Sequence, residues 1–235
     1  LVLIDEKKNW MHFIKGFFRF IKTPLNTLTT QIEPHDCIAE LSHSIVRINN
    51  ILIDMNRDIW MYISNDLFKL KVIKGEVGSS TMPHKVNPID FENSEGNLEL
   101  SNALFTFFGD KLSKSRLQRD LSDSTVLRNI GVPFGHSYLA IQSLIKGFSK
   151  LEVNKEQSLK ELNNNWQVLG EAIQTVMKLE GYDDAYEIIK DLTRGELLTE
   201  NSYKSLINSL DISIKSKSKL LKLTPATYIG LSKSI

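Results

Sequence analysis

Apolar residues recur at intervals of three or four along most of this chain, whereas runs that alternate between apolar and polar residues are scarce. The first spacing is typical of helices and the second of strands. The clearest stripe begins near Pro34, a residue that suits a first helical turn, and continues for about eight turns of 3.6 residues. Its apolar members are Ile38, Leu41, Ile45, Ile48, Leu52, Met55, Ile59 and Ile63. The pattern predicts an all-α protein with one long bundle helix.

Two further long helices complete the predicted bundle. The second begins at Asn87-Pro88, and the third spans about residues 123–151, with Gly131 and Pro133 expected to kink it. Their apolar positions are Phe91, Leu98, Leu104, Phe107 and Phe108 in the second, and Val126, Leu127, Ile130, Leu139, Leu144, Ile145 and Phe148 in the third. Three long helices predict a helical bundle.

From Asn154 the chain changes to shorter helical segments with ordinary capping residues. These predicted segments are 155–162, 166–179, 185–192 ended by Gly195, and one from Thr199 onward. We therefore place a boundary near residue 152, with a bundle portion over 1–152 and a smaller helical domain over 153–235. The tail 204–235 has six lysines and a single acidic residue, Asp211. A solvated helix face is a better interpretation of that tail than a phosphate site.

Charge and cysteine content narrow the possible functions. The 235 residues include 29 Lys+Arg and 28 Asp+Glu, which leaves no excess positive charge for general attraction to nucleic acid or membranes. Cys37 is the only cysteine, which excludes an internal disulfide and a cysteine-based metal site and favours a cytoplasmic protein. No run approaches the roughly 20 apolar residues that span a bilayer. Residue 1 is not Met, so we expect the numbered chain to begin inside a longer protein.

The segment richest in reactive side chains is the loop 75–88. Two glycines and two prolines frame a stretch that carries hydroxyls, an imidazole, an ammonium and an amide. Such a loop could be an active-site lid, but composition alone favours an ordinary polar connection between helices. Its sequence is Gly75-Glu76-Val77-Gly78-Ser79-Ser80-Thr81-Met82-Pro83-His84-Lys85-Val86-Asn87-Pro88.

The part of this loop from Gly78 to Pro88 resembles the signature loop of the aspartase/fumarase superfamily. Within that superfamily several blocks resemble the adenylosuccinate lyases. They are His84-Lys85, Thr29 to Asp36, Pro88 to Asn97, Arg119 to Asn129 and Leu223 to Gly230. The resemblance extends from about Trp10 to Gly230 and covers the C-terminal half of a family member. The upstream half, which contributes the general-acid histidine, is expected to lie outside this sequence.

The resemblance implies a carbon–nitrogen lyase of purine and AMP biosynthesis. Family members eliminate fumarate from adenylosuccinate to give AMP, and from SAICAR, the earlier imidazole-carboxamide intermediate, to give AICAR. They are homotetramers whose active sites take segments from three subunits, and they use no metal or cofactor. Two alternatives remain open, namely another lyase of the superfamily, acting on argininosuccinate, fumarate or aspartate, and a catalytically silent helical scaffold.

The resemblance also implies three catalytic residues. Ser79 is the expected base, and its hydroxyl needs nearby positive charge because a free hydroxyl ionises far above neutral pH. Lys85 is expected to supply that charge and to stabilise the carboxylate that gains negative charge during elimination. Glu92 is expected to orient the general-acid histidine; its alternative role is to complement the positive end of a helix.

Substrate-binding positions follow from the same resemblance. Gln31 and Ser80 are expected at the succinyl part of the substrate, with Lys85, Val86, Asn87 and Asn93 nearby. The nucleotide end comprises Arg119, Ser124, Thr125, Val126, Leu127 and Arg128, where guanidinium groups can pair with phosphate. A helix N-terminus near 123–125 is expected to add N–H donors for that anion. Among the histidines, His12 and His43 are interpreted as structural, His35 as a first-turn residue, and no role is assigned to His136.

Overall fold

The computed structural model describes residues 6–71, 87–193 and 198–234. These residues are mostly helical, which confirms the all-α prediction. The chain divides into two compact units, one of Leu1–Met61 with Lys74–Lys150 and the other of Tyr62–Ile73 with Leu151–Ile235. The domain boundary predicted near residue 152 assigned residues 62–73 to the bundle. Here that segment joins the second unit, because its strand pairs with one that follows residue 150.

The first unit holds the long helices. The helices are α1 (Trp10–Phe20), α2 (Asp36–Ser64, whose last turn enters the second unit), α3 (Ile89–Leu112), α4 (Ser122–Leu127) and α5 (Gly131–Lys150). Helices α2 and α3 begin within two residues of the predicted positions. The prediction of a single third helix kinked at Gly131 and Pro133 is wrong, since this stretch forms two helices. Gly131 opens α5, and Pro133 lies in its first turn, where a missing N–H costs no hydrogen bond.

Helices α3 and α5 pack along a seam of buried residues spaced three and four apart. Small residues on this seam let the two helices approach closely. A Cβ added at Gly147 would lie 2.8 Å from the ring of Phe91, and Phe105 meets Phe134 edge-on at 4.9 Å. The seam consists of Phe91, Ser94, Leu98, Ser101, Phe105, Phe108 and Leu112 on α3, and of Pro133, Ser137, Ala140, Leu144 and Gly147 on α5.

The buried face of α2 is unexpectedly polar. Asn49 donates to Ser101 Oγ (3.2 Å), to Asn102 Oδ1 (3.0 Å) and to Ser137 Oγ (3.2 Å). Asn56, two helical turns further on, donates to Ser94 Oγ at 3.0 Å. The predicted apolar stripe is therefore only partly buried. Ile53 and Ile59 lie inside, whereas Leu41 and Ile48 are about half exposed, at 49% and 56%.

The second unit has its own core. Its elements are β1 (Phe68–Leu70), β2 (Leu151–Val153), α6 (Lys155–Asn164), a 3₁₀ helix (Trp166–Leu169), α7 (Gly170–Leu179), α8 (Ala185–Thr193), α9 (Glu200–Ser209) and α10 (Ile214–Leu221). The strands are antiparallel, with Phe68 opposite Val153. The hydroxyl of the fully buried Tyr203 donates to the carbonyl of Leu220 at 2.8 Å, and burial raises the pKa of Tyr203 to about 12. None of the helices described is both long and apolar enough to cross a membrane.

Candidate active site

The predicted site residues fall into two groups within the first unit. Ser79, Ser80, Lys85 and Val86 lie outside the described residues. Of those described, Asn87, Glu92 and Asn93 lie at or just before the first turns of α3. The others lie near the C-terminal end of the same helix. They are Gln31, Arg119, Ser124, Thr125, Val126, Leu127 and Arg128.

The N-terminal end of α3 is fixed by its cap and by an ion pair. Pro88 is the N-cap residue, and its carbonyl accepts hydrogen bonds from the N–H groups of Phe91 and Glu92, at 3.0 and 3.1 Å. Asp90 lies in the first turn, where a carboxylate complements the positive end of the helix. Lys150 of α5, which is almost fully buried, donates to Asp90 at 2.7 Å. This pair joins the start of α3 to the end of α5.

The carboxylate of Glu92 is held by a tryptophan on α2. The indole N–H of Trp60 donates to Glu92 Oε1 at 3.0 Å. Arg57, one turn earlier on α2, is occupied by two other carboxylates, with 2.6 Å to Glu95 and 2.7 Å to Glu99. A cleft of about 260 Å³ is lined by Arg57, Trp60, Glu92 and Glu95. One oxygen of Glu92 is thus oriented by a neutral donor at the edge of an open cleft.

Asn93 is the next residue, and its side chain is exposed. Asn97, one turn further along α3, donates from Nδ2 to the main-chain carbonyl of Asn93 at 2.9 Å and to its Oδ1 at 2.7 Å. On α5, His136 Nδ1 lies 2.8 Å from Asn97 Oδ1. The expected substrate contact therefore belongs to a chain of three polar side chains.

The C-terminal end of α3 brings two distant sequence blocks together. The N–H of Gln31 donates to the carbonyl of Gln118 at 3.2 Å, which places the 29–36 block beside Arg119. His35 adopts a left-handed backbone conformation (φ 61°) immediately before α2. Its Nε2 lies 3.4 Å from Asp123 Oδ2, and Arg119 lies 3.6 Å from the same oxygen. Sequence analysis took His35 as a first-turn residue and did not foresee this pairing.

Two aspartates at this end, Asp120 and Asp123, have a pKa below the ordinary value. Burial raises the pKa of Asp123, but bonds from His35 and from the N–H of Ser124, with the charge of Arg119, hold it below its ordinary value. The N–H of Ser122 and the guanidinium of Arg116 lower the pKa of Asp120. The Ser122 and Ser124 N–H groups thus donate to Asp120 and Asp123, at 3.0 and 2.6 Å. The expectation that this helix start offers free N–H donors to a phosphate is therefore wrong for Ser124.

The side chains of the 124–128 segment point to different environments. Ser124 Oγ donates to the carbonyl of Leu121 at 2.8 Å, so this hydroxyl is used locally. Val126 and Leu127 pack against the buried cluster formed by Phe105, Phe108 and Leu112. Their apolar side chains thus anchor α4. Thr125 and Arg128 are exposed, and Arg128 is the C-cap of α4.

The two groups are far apart within one chain. Glu92 and Leu112 are both in α3, and the twenty-residue offset between them corresponds to roughly 30 Å at about 1.5 Å per residue. Leu112 belongs to the cluster on which α4 packs, and Lys111 lies 3.7 Å from Asp120. A pocket for a single nucleotide therefore cannot contact both groups of one copy.

A third cluster of polar side chains lies at the start of α2. Glu33, Asp36 and Cys37 place ligand atoms within 4.8 Å of one another, and all three are exposed. The charge of Asp36 raises the pKa of the Cys37 thiol, which favours the protonated form over the metal-binding thiolate. We assign no metal to this cluster.

Sequence analysis missed three residues that the structure connects to the site, namely Trp60, Asn97 and His136. Asn97 could have been found from the sequence, because residues four apart on a helix are neighbours and Asn93 was already a candidate. Trp60 lies on a helix 32 residues before Glu92, and His136 is 39 residues after Asn97. Such long-range pairs have no spacing that a single sequence reveals.

Comparison with protein families covers nearly the whole chain. The family model described as "Lyase" matches residues 6–100, and the one described as "Adenylosuccinate lyase C-terminal" matches residues 115–229. The adenylosuccinate lyase of Legionella pneumophila (strain Corby) is 56% identical over 224 residues, which are 95% of this chain and 49% of that protein. That of Escherichia coli (strain K12) is 54% identical over 222 residues, 94% of this chain and 49% of that protein.

Solved structures resemble the fold at much lower sequence identity. The 3-carboxy-cis,cis-muconate lactonizing enzyme from Pseudomonas putida superposes with a TM-score of 0.64 at 20% identity, covering 94% of this chain and 50% of its own. A class II fumarase from Schistosoma mansoni superposes with a TM-score of 0.56 at 20% identity, covering 80% and 39%. These neighbours confirm the predicted fold of the aspartase/fumarase type. The chain spans about half the length of the curated relatives it matches.

Proposed function

Since this chain belongs to the adenylosuccinate lyase family and matches the C-terminal half of its members, we propose that it supplies that half of an enzyme that eliminates fumarate from adenylosuccinate to give AMP. The same site would act on SAICAR, the succinylated imidazole-carboxamide intermediate, to give AICAR. The observation that carries the proposal is at the start of α3. Directly after the signature loop, a carboxylate held by Trp60 and an exposed amide stand side by side as Glu92 and Asn93.

Elimination needs a base for a proton on carbon and an acid for the departing nitrogen. We assign the base to Ser79 and the charge that stabilises its alkoxide to Lys85, and Asn87 lies where this loop enters α3. As the C–N bond breaks, the base has taken the carbon proton, and a histidine from the upstream half protonates the nitrogen. Glu92 fixes the orientation of that histidine by accepting a hydrogen bond from its ring, as a triad carboxylate does.

The C-terminal end of α3 is the proposed nucleotide end. Arg128 is exposed and supplies a guanidinium for the phosphate. Arg119 is partly neutralised by Asp123, so it is the weaker phosphate ligand of the two. The amide of Gln31, whose backbone is bonded to Gln118, would contact the succinyl part from the same side.

Assembly into a cytoplasmic homotetramer belongs to the same proposal. Because the two groups lie at opposite ends of α3, and the helix between them is roughly 30 Å long, each complete site needs residues from more than one copy. Large apolar side chains are exposed on the outer faces of the bundle helices, and such faces are typical of interfaces. They include Ile48 and Ile51 on α2, and Tyr138, Ile141 and Ile145 on α5.

The test is restoration of activity by the missing half. The chain is coexpressed with the upstream half of the Legionella relative, and fumarate release is followed with adenylosuccinate, argininosuccinate and malate in parallel. We expect turnover of adenylosuccinate alone, and we expect Ser79→Ala to lower it by about two orders of magnitude or more while AMP binding persists. Turnover only of argininosuccinate or malate would identify another lyase. A stable, assembled complex that releases no fumarate would support the silent scaffold.

A further inference from the structure

Three polar side chains form a continuous hydrogen-bonded chain from α5 to the exposed amide of Asn93. They are His136, Asn97 and Asn93, linked by 2.8 Å from His136 Nδ1 to Asn97 Oδ1 and 2.7 Å from Asn97 Nδ2 to Asn93 Oδ1. Asn97 Nδ2 is also 2.9 Å from the main-chain carbonyl of Asn93. His136 and Asn97 are partly buried, whereas Asn93 is exposed.

The direction of each hydrogen bond follows from the groups involved. A main-chain carbonyl can only accept, so the Asn97 atom that faces it must be the NH₂ group. The opposite atom of that amide is then the oxygen, which can only accept. His136 must therefore present a protonated Nδ1 to it.

The same reasoning fixes the amide of Asn93. Both hydrogens of the Asn97 NH₂ group point at Asn93, one at its main-chain oxygen and one at its side chain. The side-chain atom that receives the second hydrogen must be the acceptor Oδ1. The NH₂ group of Asn93 therefore stays available for a hydrogen bond to a ligand, and this group can only donate.

We propose that Asn97 and His136 are positioning residues that fix the amide of Asn93 as a hydrogen-bond donor to an oxygen of an anionic substrate. This inference rests on the proposed function, in which the substrate carries carboxylates and a phosphate. A donor matches such oxygens, whereas a flipped amide would present its own oxygen to them. Ionisation of His136 does not reverse the chain, because Nδ1 carries a hydrogen in both the neutral and the charged ring.

A double-mutant cycle tests the chain in the coexpressed enzyme. Asn97→Asp keeps the acceptor for His136 but removes both donors toward Asn93. We expect KM for adenylosuccinate to rise about tenfold, the equivalent of one hydrogen bond to a charged group, with a smaller change in kcat. In an Asn93→Ala background the same change should have little further effect on KM. Independent, multiplicative effects would overturn the proposal.

Asn102→Asp is the matched control on the same helix. The Asn102 amide accepts from Asn49 at 3.0 Å and donates to Asn50 at 2.8 Å, both on α2. Its replacement should lower the melting temperature without raising KM. If Asn102→Asp and Asn97→Asp raised KM equally at equal loss of stability, Asn97 would be merely structural.

A second measurement does not depend on activity. The ring nitrogens of His136 are observed by NMR in ¹⁵N-histidine-labelled chain, with His136→Gln to assign the signals. We expect a protonated Nδ1 and an unprotonated Nε2 in the neutral ring, and a protonated Nε2 alone would contradict the chain. Lack of lyase activity with the expected tautomer would reject the proposed function and leave the hydrogen-bond chain in place.

Discussion

The two ends of α3 differ in what holds Glu92 and Asn93 at one end and Asp120 and Asp123 at the other. At the N-terminal end, Glu92 and Asn93 receive hydrogen bonds from neutral donors, the indole of Trp60 and the amide of Asn97. At the C-terminal end, Asp120 and Asp123 are bonded to main-chain N–H groups and to nearby arginines. A neutral donor orients a group without cancelling its charge, whereas in an ion pair the charges of the two partners offset each other. We propose that the first end serves proton chemistry and that the second, where Arg128 is exposed, binds the phosphate.

The largest expected effects distinguish the two ends, because a change at one should lower kcat and a change at the other should weaken nucleotide binding. Glu92→Ala should lower kcat by roughly two to four orders of magnitude, because an unoriented histidine is a poor acid. Arg128→Ala should weaken AMP binding roughly 10- to 150-fold, the equivalent of about 1.5–3 kcal/mol for a hydrogen bond to a charged group. Steady-state kinetics and AMP titration measure both variants. Equal effects of the two changes on kcat and affinity would abolish the distinction between the ends.

A smaller effect is expected when the neutral donor to Glu92 is removed. Trp60→Phe keeps an aromatic ring and deletes the indole N–H, so kcat should fall about tenfold with KM nearly unchanged. Trp10→Phe makes the same change on α1 and should leave kcat as it is. Unchanged kcat in Trp60→Phe would show that Glu92 does not need this bond.

Packing at the N-terminal end gives a change in stability. Gly147→Ala would drive a methyl group to 2.8 Å from the buried ring of Phe91, the residue before Glu92. We expect a loss of about 1–3 kcal/mol in the free energy of unfolding. Gly135→Ala, on the same helix with nothing within 4 Å of the new Cβ, should gain about 0.5–1 kcal/mol. Urea unfolding of both variants measures the contrast, and equal changes would refute the close approach of α3 and α5.

Low pH should remove the stabilising contribution of Asp120 at the C-terminal end of α3. Its folded pKa lies below the ordinary value of 3.8, so its stabilising contribution is complete above that pH and is lost as the pH falls through the folded pKa. The difference in melting temperature between wild type and Asp120→Asn should be largest above pH 5 and shrink below pH 4. Asp110→Asn, which breaks an exposed pair with Lys114, should change the melting temperature less. A constant difference for Asp120→Asn across this range would contradict the lowered pKa.

Sequence patterns predicted the long helices because their buried seams repeat every three and four residues. They failed where burial depends on a partner helix. Ile48 fits the apolar stripe of α2 but is 56% exposed, while Asn49 beside it is buried among Ser101, Asn102 and Ser137. The roles of site residues came from family resemblance, and they stay predictions. No sequence pattern predicted which side chains hold those residues in place, because Trp60 and His136 lie on helices other than α3.

The central claim is that each active site combines opposite ends of α3 from different copies. Mixing Glu92→Ala and Arg128→Ala subunits, refolded together with wild-type upstream halves, tests it most directly. Turnover is measured at adenylosuccinate concentrations below KM, where weakened binding lowers the activity of Arg128→Ala alone. If the two residues of one site come from different copies, random assembly should restore about one quarter of wild-type turnover, because one pairing in four carries both native residues. Activity in the mixture no higher than in either variant alone would show that one copy supplies both groups, and would contradict the account.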